Sequence, residues 1–364
     1  MVLDKLTGVY FDETVDTIVS DVEPLDEKIQ FIIQTSSAIA SLDHQLVYTS
    51  IADFQTAVSG KNLTKTTEFI EYIASQTGHT SFFVYSVKTD TAAGWKEAVM
   101  SSELHKEIKK VFYFEENASS NNNTFKQKMS AIISGCDDCF KSGAFRRAYG
   151  IPYATVTAAV AADSNTAPAA TVTTTMTAQV NGLASGKLSV LVPEFYLEQA
   201  AKIVSSEYYE EIGKGTIATS ETDSRTYPLD KTQILTLRNA GIVVPRPFYR
   251  NGRYEYEIEL GVTTSWDDDK ADGLIVARTI ADELLREVDI NASTMIKDAE
   301  HEGNVEFIQT CVDDVIADFV KNKYVNSNGT KLTVVDNGDL TFNISGKITP
   351  TRTLVAINVN TTLS

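Results

Sequence analysis

The sequence predicts an α/β protein with two domains. Short apolar blocks of strand length alternate with segments of helical periodicity through the first two thirds of the chain, as in α/β domains. The chain has 364 residues, whereas a single hydrophobic core stops growing at about 250–300 residues. Its composition, 43% apolar, 9% aromatic and 22% charged, is that of a folded globular protein rather than an extended chain.

The first element is an extended arm over residues 1–20. Its apolar side chains are scattered among Thr, Asp and Gly without helical periodicity. A β-branched apolar block at residues 28–34 predicts the first strand, and residues 51–58 predict a helix. We place an outer α/β part of the molecule over residues 21–226.

The outer part continues with alternating helices and strands. Residues 65–75 predict a helix, and residues 81–87 predict a strand. A helix over residues 95–110 and a buried strand over residues 111–114 come next. After a polar, Asn-rich break, a long helix is predicted over residues 125–146.

A tract rich in Ala, Thr and Val occupies residues 154–186. Because polar residues and Pro168 interrupt it, we predict an exposed loop there. The apolar block at residues 187–192 restores a strand, which Pro193 stops.

The sequence pattern changes near Thr226, and we place the start of a second domain, residues 227–345, there. A helix begins near Asp230 and ends before Gly241, a residue type that commonly terminates helices. Residues 242–244 predict a short apolar strand after it.

Two amphipathic helices and a hairpin complete the second domain. The helices, over residues 274–288 and 305–324, have apolar residues at helical spacing and should pack against a sheet. Alternating apolar residues then lie on both sides of Asn337-Gly338, a dipeptide that favours a tight hairpin turn.

The end of the chain, residues 346–364, is predicted to be a second arm. It contains an apolar strand over residues 353–359, whose two edges have no local partner, so that the sheet of another subunit is a natural place for it to bond. The N-terminal arm has the same property, although either arm could instead complete the sheet of its own subunit. The candidate residues for strand exchange are Val9, Tyr10, Val15, Ile18, Leu354, Val355, Ile357 and Val359.

The charge of the chain argues against some classes of partner. Asp and Glu outnumber Lys and Arg by 49 to 32, for a net charge of −17, which disfavours nucleic acid and anionic membrane surfaces. No segment has the apolar run of a signal peptide or a membrane span, so we expect a protein made and kept in a cytoplasm. Its three cysteines, too few for a disulfide framework, fit a reducing compartment.

The sequence signals for catalytic and metal-binding residues are weak. Cys136 and Cys139 have the spacing of a redox or zinc pair, but no second pair is near and a helical pattern surrounds them. The aspartates that could favour either a cation or a helix N-terminus are Asp267, Asp268, Asp269 and Asp272. The histidines that match no metal or nucleophile motif are His44, His79, His105 and His301. We predict no catalytic residue, no cofactor and no metal.

From Leu235 onward, the order of features resembles the C-terminal part of contractile tail sheath proteins of phages, phage-like bacteriocins and related injection systems. That order is a helix, the step Asn239-Ala-Gly-Ile-Val243, a basic aromatic stretch, Gly261-Val-Thr-Thr264, a helix with Val276-Ala-Arg-Thr-Ile280, a second long helix, a hairpin and a terminal strand. In that family the chain commonly ends as a strand, a proline and another strand, which corresponds here to a strand on each side of Pro350.

The resemblance implies a sheath-type α/β domain over residues 227–345, completed by N- and C-terminal strands, beside a more variable outer α/β domain. It also implies a structural subunit, not an enzyme, that polymerises helically around an inner tube and contracts to drive that tube through the target cell envelope. The implied partners are other copies of the chain, the inner tail tube protein, and baseplate and tail terminator proteins, with no direct nucleic acid contact and no stable membrane insertion.

The implied location is a virion tail or injection particle, assembled in the host cytoplasm. Two alternatives stay open at this point. One is another virion or baseplate structural protein, which would form a closed ring, and the other is a cytoplasmic α/β enzyme, which would need a pocket with converging titratable side chains.

Overall fold

Strands and helices alternate along the part of the chain that the structure describes. The structure, a computed structural model, describes residues 28–34, 46–48, 50–78, 81–87, 90–116, 124–164, 167–220, 227–267, 273–295, 305–336 and 342–351. The strands are β1 (Lys28–Gln34), β2 (Leu46–Tyr48), β3 (Phe82–Val87), β4 (Ile108–Phe114), β5 (Arg147–Ile151), β6 (Leu188–Leu191), β7 (Thr216–Ser220), β8 (Ile242–Val243), β9 (Pro245–Arg250), β10 (Arg253–Ile258), β11 (Lys331–Asp336) and β12 (Phe342–Lys347). The helices are α1 (Ile51–Val58), α2 (Thr64–Thr77), α3 (Ala92–Met100), α4 (Phe125–Lys141), α5 (Tyr153–Ala161), α6 (Pro168–Val180), α7 (Tyr196–Ser205), α8 (Lys231–Asn239), α9 (Ile275–Met295) and α10 (Val305–Lys321).

A central sheet has the strand order β2-β3-β1-β4-β5-β6-β8. Its strands pair in parallel, except for the edge strand β2, which is antiparallel to β3. In this register Phe31 lies opposite Val84 on one side and Phe112 on the other. Parallel neighbours need crossover connections, and the intervening helices supply them. The predicted α/β class is confirmed.

Each face of the central sheet carries its own apolar core. Phe31, Phe69 and Phe112 lie in the core on one face, whereas Ile32 and Trp95 lie in the core on the other. Phe31 and Ile32 enter different cores because successive residues of a strand point to opposite faces. Since both faces are covered, β3 is buried at every residue.

The predictions for two segments, residues 95–110 and residues 154–186, are wrong. The helix predicted over residues 95–110 ends at Met100, and the chain then turns and enters β4 at Ile108. The helical reading fails because Ile108 and the residues after it pair with β1 and β5 in the middle of the sheet.

The loop predicted near residues 154–186 is also wrong, because this tract forms α5 and α6. Pro168 is the first residue of α6, a position that tolerates proline because the first N–H groups of a helix have no partner within it. Val172, Met176 and Val180 recur at a spacing of four and are buried in one of the two cores.

The predicted division near Thr226 falls in a part of the chain outside the described residues. Beyond it, α8 begins after Asp230, whose side chain caps the helix, and ends before Gly241, as predicted. β8 then pairs in parallel with β6, so a strand from residues 227–345 completes the sheet of residues 21–226. The assignment of these two ranges to separate domains stays a prediction.

A smaller sheet and a hairpin complete the architecture. β7, β10 and β9 form an antiparallel three-stranded sheet, in that spatial order. The helices predicted over residues 274–288 and 305–324 are confirmed as α9 and α10, which pack against each other, and α10 also contacts β11. β11 and β12 form the predicted antiparallel hairpin.

Candidate inter-subunit surface

The hairpin of β11 and β12 has one buried face and one exposed face. Leu332, Val334 and Ile344 point toward the core and are at most 5% exposed. Thr333 and Val335 alternate with them on the opposite face and are exposed. The alternation of apolar and polar residues along the sequence is therefore that of a half-buried antiparallel pair.

The edges of this hairpin carry the backbone groups through which another strand could add. β11 and β12 form a sheet of two strands, so neither outer edge is paired with a further strand among the residues that the structure describes. An unpaired edge presents a row of N–H and C=O groups and is a template for strand addition.

The edge of β11 is occupied at its centre by a side chain of α10. Gln309 donates from Nε2 to the Leu332 carbonyl at 3.0 Å and accepts at Oε1 from the Val334 N–H at 2.8 Å. Nε2 also donates to Asp313 Oδ1, one turn further along α10, at 2.9 Å. The side-chain amide thus satisfies two backbone groups that an added strand would otherwise bond.

The direction of the backbone groups at the edge of β12 follows from the same hydrogen-bond geometry. Because the Val334 N–H points to Gln309, the opposite pair Val334 and Ile344 is a non-hydrogen-bonded pair of the ladder. The N–H and C=O of Ile344 therefore point away from β11 as well, toward the outer edge of β12. Within the described residues, no strand pairs with β12 on that side.

Backbone contacts fix the position of residues 348–351, which follow the hairpin. After β12, Ile348 is buried and Pro350 forms an antiparallel bridge with Val325. The Thr351 N–H donates to the Tyr324 carbonyl at 2.9 Å. Thr351, within the predicted C-terminal arm, therefore lies beside Tyr324, close to the C-terminal end of α10.

Helix α9 is joined to the central sheet by buried ion pairs, and it also packs against α10, which contacts β11. Arg147 of β5 contacts Asp282 Oδ2 at 2.9 Å and donates to the Ile275 carbonyl at 2.6 Å. Burial alone would raise the pKa of Asp282, but the positive charges of Arg278 and Arg147 outweigh it and hold this pKa below its ordinary value. The carboxylate is therefore ionised, and α9 is held against the sheet by charge as well as by apolar contact.

Three solved structures are similar to this fold over essentially the whole chain. A chain of the anti-feeding prophage (AFP) helical sheath in the contracted state has a TM-score of 0.62 and 12% identity, with 99% of both chains covered. A chain of the AFP baseplate has a TM-score of 0.61 and 12% identity, with 100% of both covered. A chain of the PVC sheath complex, from an extracellular contractile injection system in the contracted state, has a TM-score of 0.60 and 10% identity, with 100% of this chain and 98% of that chain covered.

The chain has the fold of contractile sheath proteins. No protein-family model and no curated protein sequence matches it. The similarity in structure covers 99–100% of this chain, whereas the resemblance in the sequence is strongest from Leu235 onward. The similarity in fold therefore exists at sequence identities of only 10–12%.

The terminal residues predicted for strand exchange lie outside the described residues of this sheath fold. These residues are Val9, Tyr10, Val15, Ile18, Leu354, Val355, Ile357 and Val359. Their exchange between subunits stays a prediction. Gln309, which sequence reasoning did not single out, lies on the β11 edge of the hairpin, and its Glu306–Asp313 surroundings contain no motif that could have revealed it.

The cysteine pair lies in the interior of the sheath fold. Cys136 and Cys139 are both buried in α4, and neither forms a disulfide. Burial raises the pKa of Cys136 to about 12 and that of Cys139 to about 11, so both are neutral thiols at pH 7. Within the described ranges, no group of His, Cys, Asp and Glu has the arrangement of a metal site.

Those of the other candidates that the structure describes do not converge on one site. The Nδ1 atom of His105 lies 3.0 Å from Glu107, and Asp267 is the one member of the aspartate run that is described. The candidates outside the described residues are His44, His79, His301, Asp268, Asp269 and Asp272. In the part of the chain that is described, no helix is both long and apolar enough to cross a bilayer.

Proposed function

We propose that this protein is a sheath subunit that polymerises helically around an inner tube and contracts to drive that tube through a target cell envelope. The observation that carries the proposal is the two-stranded hairpin, whose β12 edge pairs with no further strand within the described residues, in a chain that has the sheath fold. A sheet of two strands is small for an independent unit, and strands from neighbouring copies would enlarge it.

Strand exchange explains why such a subunit forms a helix. The arm of one copy adds to the hairpin of the next, so the two contacting surfaces differ, and a head-to-tail contact of this kind propagates unless its rotation closes a ring. A ladder of about 4–5 backbone hydrogen bonds, each contributing roughly 1 kcal/mol net, links the copies. Because the arms are tethers, the folded bodies can rotate relative to one another while the chain of contacts stays intact.

The proposed partners follow from this role. They are other copies of the chain, an inner tail tube protein, and baseplate and tail terminator proteins, with no direct contact to nucleic acid. The subunit would act in a virion tail or an injection particle after assembly in a host cytoplasm. Contraction would use the energy stored at assembly, and we propose no catalytic step and no cofactor.

A baseplate component is the second candidate, because a chain of the AFP baseplate is as similar to this protein as the AFP sheath chain is. The two candidates differ in symmetry. A sheath subunit forms open-ended tubes, whereas a baseplate component forms closed rings.

The experiment is assembly of the purified full-length protein at increasing concentration, followed by light scattering and negative-stain electron microscopy. Tubes with helical striation support the sheath subunit, and closed rings support the baseplate component. Monomers at all concentrations, also after addition of the inner tube protein, would contradict both.

Deletion of residues 354–364 tests strand exchange within that assembly. We expect the truncated chain to fold, as judged by its circular dichroism and a cooperative melting transition, but to form no tubes. Deletion of residues 360–364 is the matched control, since it keeps the whole predicted strand, and it should assemble like the full chain. Normal tubes from the longer deletion would refute exchange of the C-terminal arm, and deletion of residues 1–19 tests the N-terminal arm in the same way.

A further inference from the structure

The side-chain amide of Gln309 occupies the edge of β11 as a peptide group of an added strand would. Its nitrogen donates to the carbonyl of Leu332 and its oxygen accepts from the N–H of Val334, two residues further along the same edge. The third hydrogen bond, to Asp313, uses the remaining amide proton and fixes which end of the amide faces each backbone group.

The two edges of the hairpin therefore differ. At the centre of the β11 edge, a strand from another copy would meet groups that are already bonded to Gln309. At the β12 edge, the outward groups of Ile344 meet no strand within the described residues. Proteins protect exposed edges in several ways, and a side chain that bonds the edge itself serves the same purpose.

The protection of the β11 edge is reversible. Gln309 is partly exposed, so its side chain can turn into solvent without disturbing a core. The intramolecular hydrogen bonds that it makes are worth little net, because water replaces them when the amide leaves. An incoming strand would restore both bonds and add further ones along the edge.

We propose that Gln309 is a displaceable plug that closes the β11 edge of the free subunit, so that a strand from a second copy adds first at β12 and at β11 only after the amide has moved. This inference rests on the proposed function, because it presupposes that strands of other copies add to this hairpin. The plug would limit premature polymerisation by leaving one edge of each free subunit available instead of two.

Assembly of the Gln309→Ala variant tests the plug. Removal of the amide opens the β11 edge, and the critical concentration for tube formation should fall about tenfold, the change expected from roughly one net hydrogen bond per contact. The matched control is Thr310→Ala, which alters the neighbouring exposed residue of α10, whose hydroxyl donates within the helix to the Glu306 carbonyl. Thr310→Ala should assemble like the unchanged protein.

Gln309→Glu provides a second variant with a side chain of the same length. A carboxylate cannot donate to the Leu332 carbonyl and lies beside Asp313, so it should leave the edge and lower the critical concentration as well. The cooperative melting transition of each variant establishes that it is folded. If both Gln309 variants form tubes at the same concentration as Thr310→Ala, the plug is refuted while the sheath function stands.

Hydrogen exchange of the Val334 amide tests whether a strand adds at the β11 edge. In the free subunit, Gln309→Ala should accelerate this exchange, and in tubes of the same variant the incoming strand should slow it again. An amide of Val334 that stays unprotected in those tubes would show that no strand adds at β11, which overturns the inference. If no variant and no unchanged protein forms tubes, the proposed function fails, and the plug fails with it.

Discussion

Glu211 is a half-buried residue whose carboxylate lies at the point where the segment after α7 meets the segment after β10. Its Oε1 accepts the Gly261 N–H at 2.7 Å and the Gly213 N–H at 3.4 Å. Its Oε2 is buried and has no hydrogen-bond partner among the described residues. Burial raises the pKa of Glu211 to about 7, although the two backbone N–H groups act in the opposite direction.

This raised pKa makes stability depend on pH. The unfolded carboxyl has an ordinary pKa of about 4.3, so between that pH and about 7 the folded state binds the proton more tightly than the unfolded state does. The folded state therefore loses stability as the pH rises through this window, by up to about 4 kcal/mol, and loses no more above it.

Glu211→Gln should remove this loss. A glutamine can accept the same Gly261 N–H without carrying a charge, so its free energy of unfolding should exceed that of the unchanged protein by more at pH 8 than at pH 5. Urea unfolding at a series of pH values measures the difference. Glu207→Gln, at an exposed position nearby, is the control, and an equal pH profile for Glu211→Gln and Glu207→Gln would contradict the assignment.

At the scale of elements, α9 carries charged side chains into the interior. Almost every residue from Ile275 to Asp289 is buried. The sequence predicted an amphipathic helix with one apolar face, but the polar face is also covered, because it meets the strands and turns of the central sheet. Arg286 donates from Nη2 to the Phe145 carbonyl at 3.1 Å, and Lys109 forms an ion pair with Glu283. α9 is therefore a buried helix that packs against the central sheet and against α10, which in turn contacts β11.

Asp282→Asn should destabilise the protein by about 3–5 kcal/mol, because it leaves the charges of Arg147 and Arg278 buried without a carboxylate. The free energy of urea unfolding measures this loss. The matched control is Glu68→Gln, which breaks the exposed Lys65–Glu68 pair of α2 and should cost less than about 1 kcal/mol. Equal effects of the two substitutions would show that the α9 ion pairs contribute no more than a surface pair.

For the whole molecule, the net charge of −17 sets the electrostatic cost of bringing copies together in the proposed tubes. Like charges on neighbouring subunits repel each other, and salt screens this repulsion, with a screening length of about 10 Å at 0.1 M. Backbone ladders between strands contain no net charge, so salt should change the approach of the subunits more than the ladder itself.

The critical concentration for tube formation should therefore fall as the salt concentration rises from about 0.02 to about 0.2 M, where the screening length shortens severalfold. Light scattering at each salt concentration measures it, and sucrose of equal osmolality is the control for effects that do not involve charge. A critical concentration that rises with salt would mean that attractive ion pairs dominate the contact between subunits.

Much of the fold was predictable because a helix or strand that buries one face needs apolar residues at a regular spacing along the sequence. β1, β3, α10 and the hairpin of β11 and β12 show this directly, since each has enough apolar residues at one period to identify it. β5, in contrast, escaped prediction. It contains Arg147, Tyr149 and Gly150, and it forms a buried strand because β4 and β6 pair with it on both sides.

Sequence patterns therefore sufficed for the α/β class, the paired amphipathic helices, the hairpin and the resemblance to sheath proteins, because each of these depends on residues within a few positions of one another. Contacts between distant residues were decided by the tertiary structure alone. Gln309 bonds Val334 across 25 positions, and Arg147 bonds Asp282 across 135. Neither pair leaves a periodic signal, because a hydrogen bond or an ion pair needs only two residues brought together by the packing of everything between them.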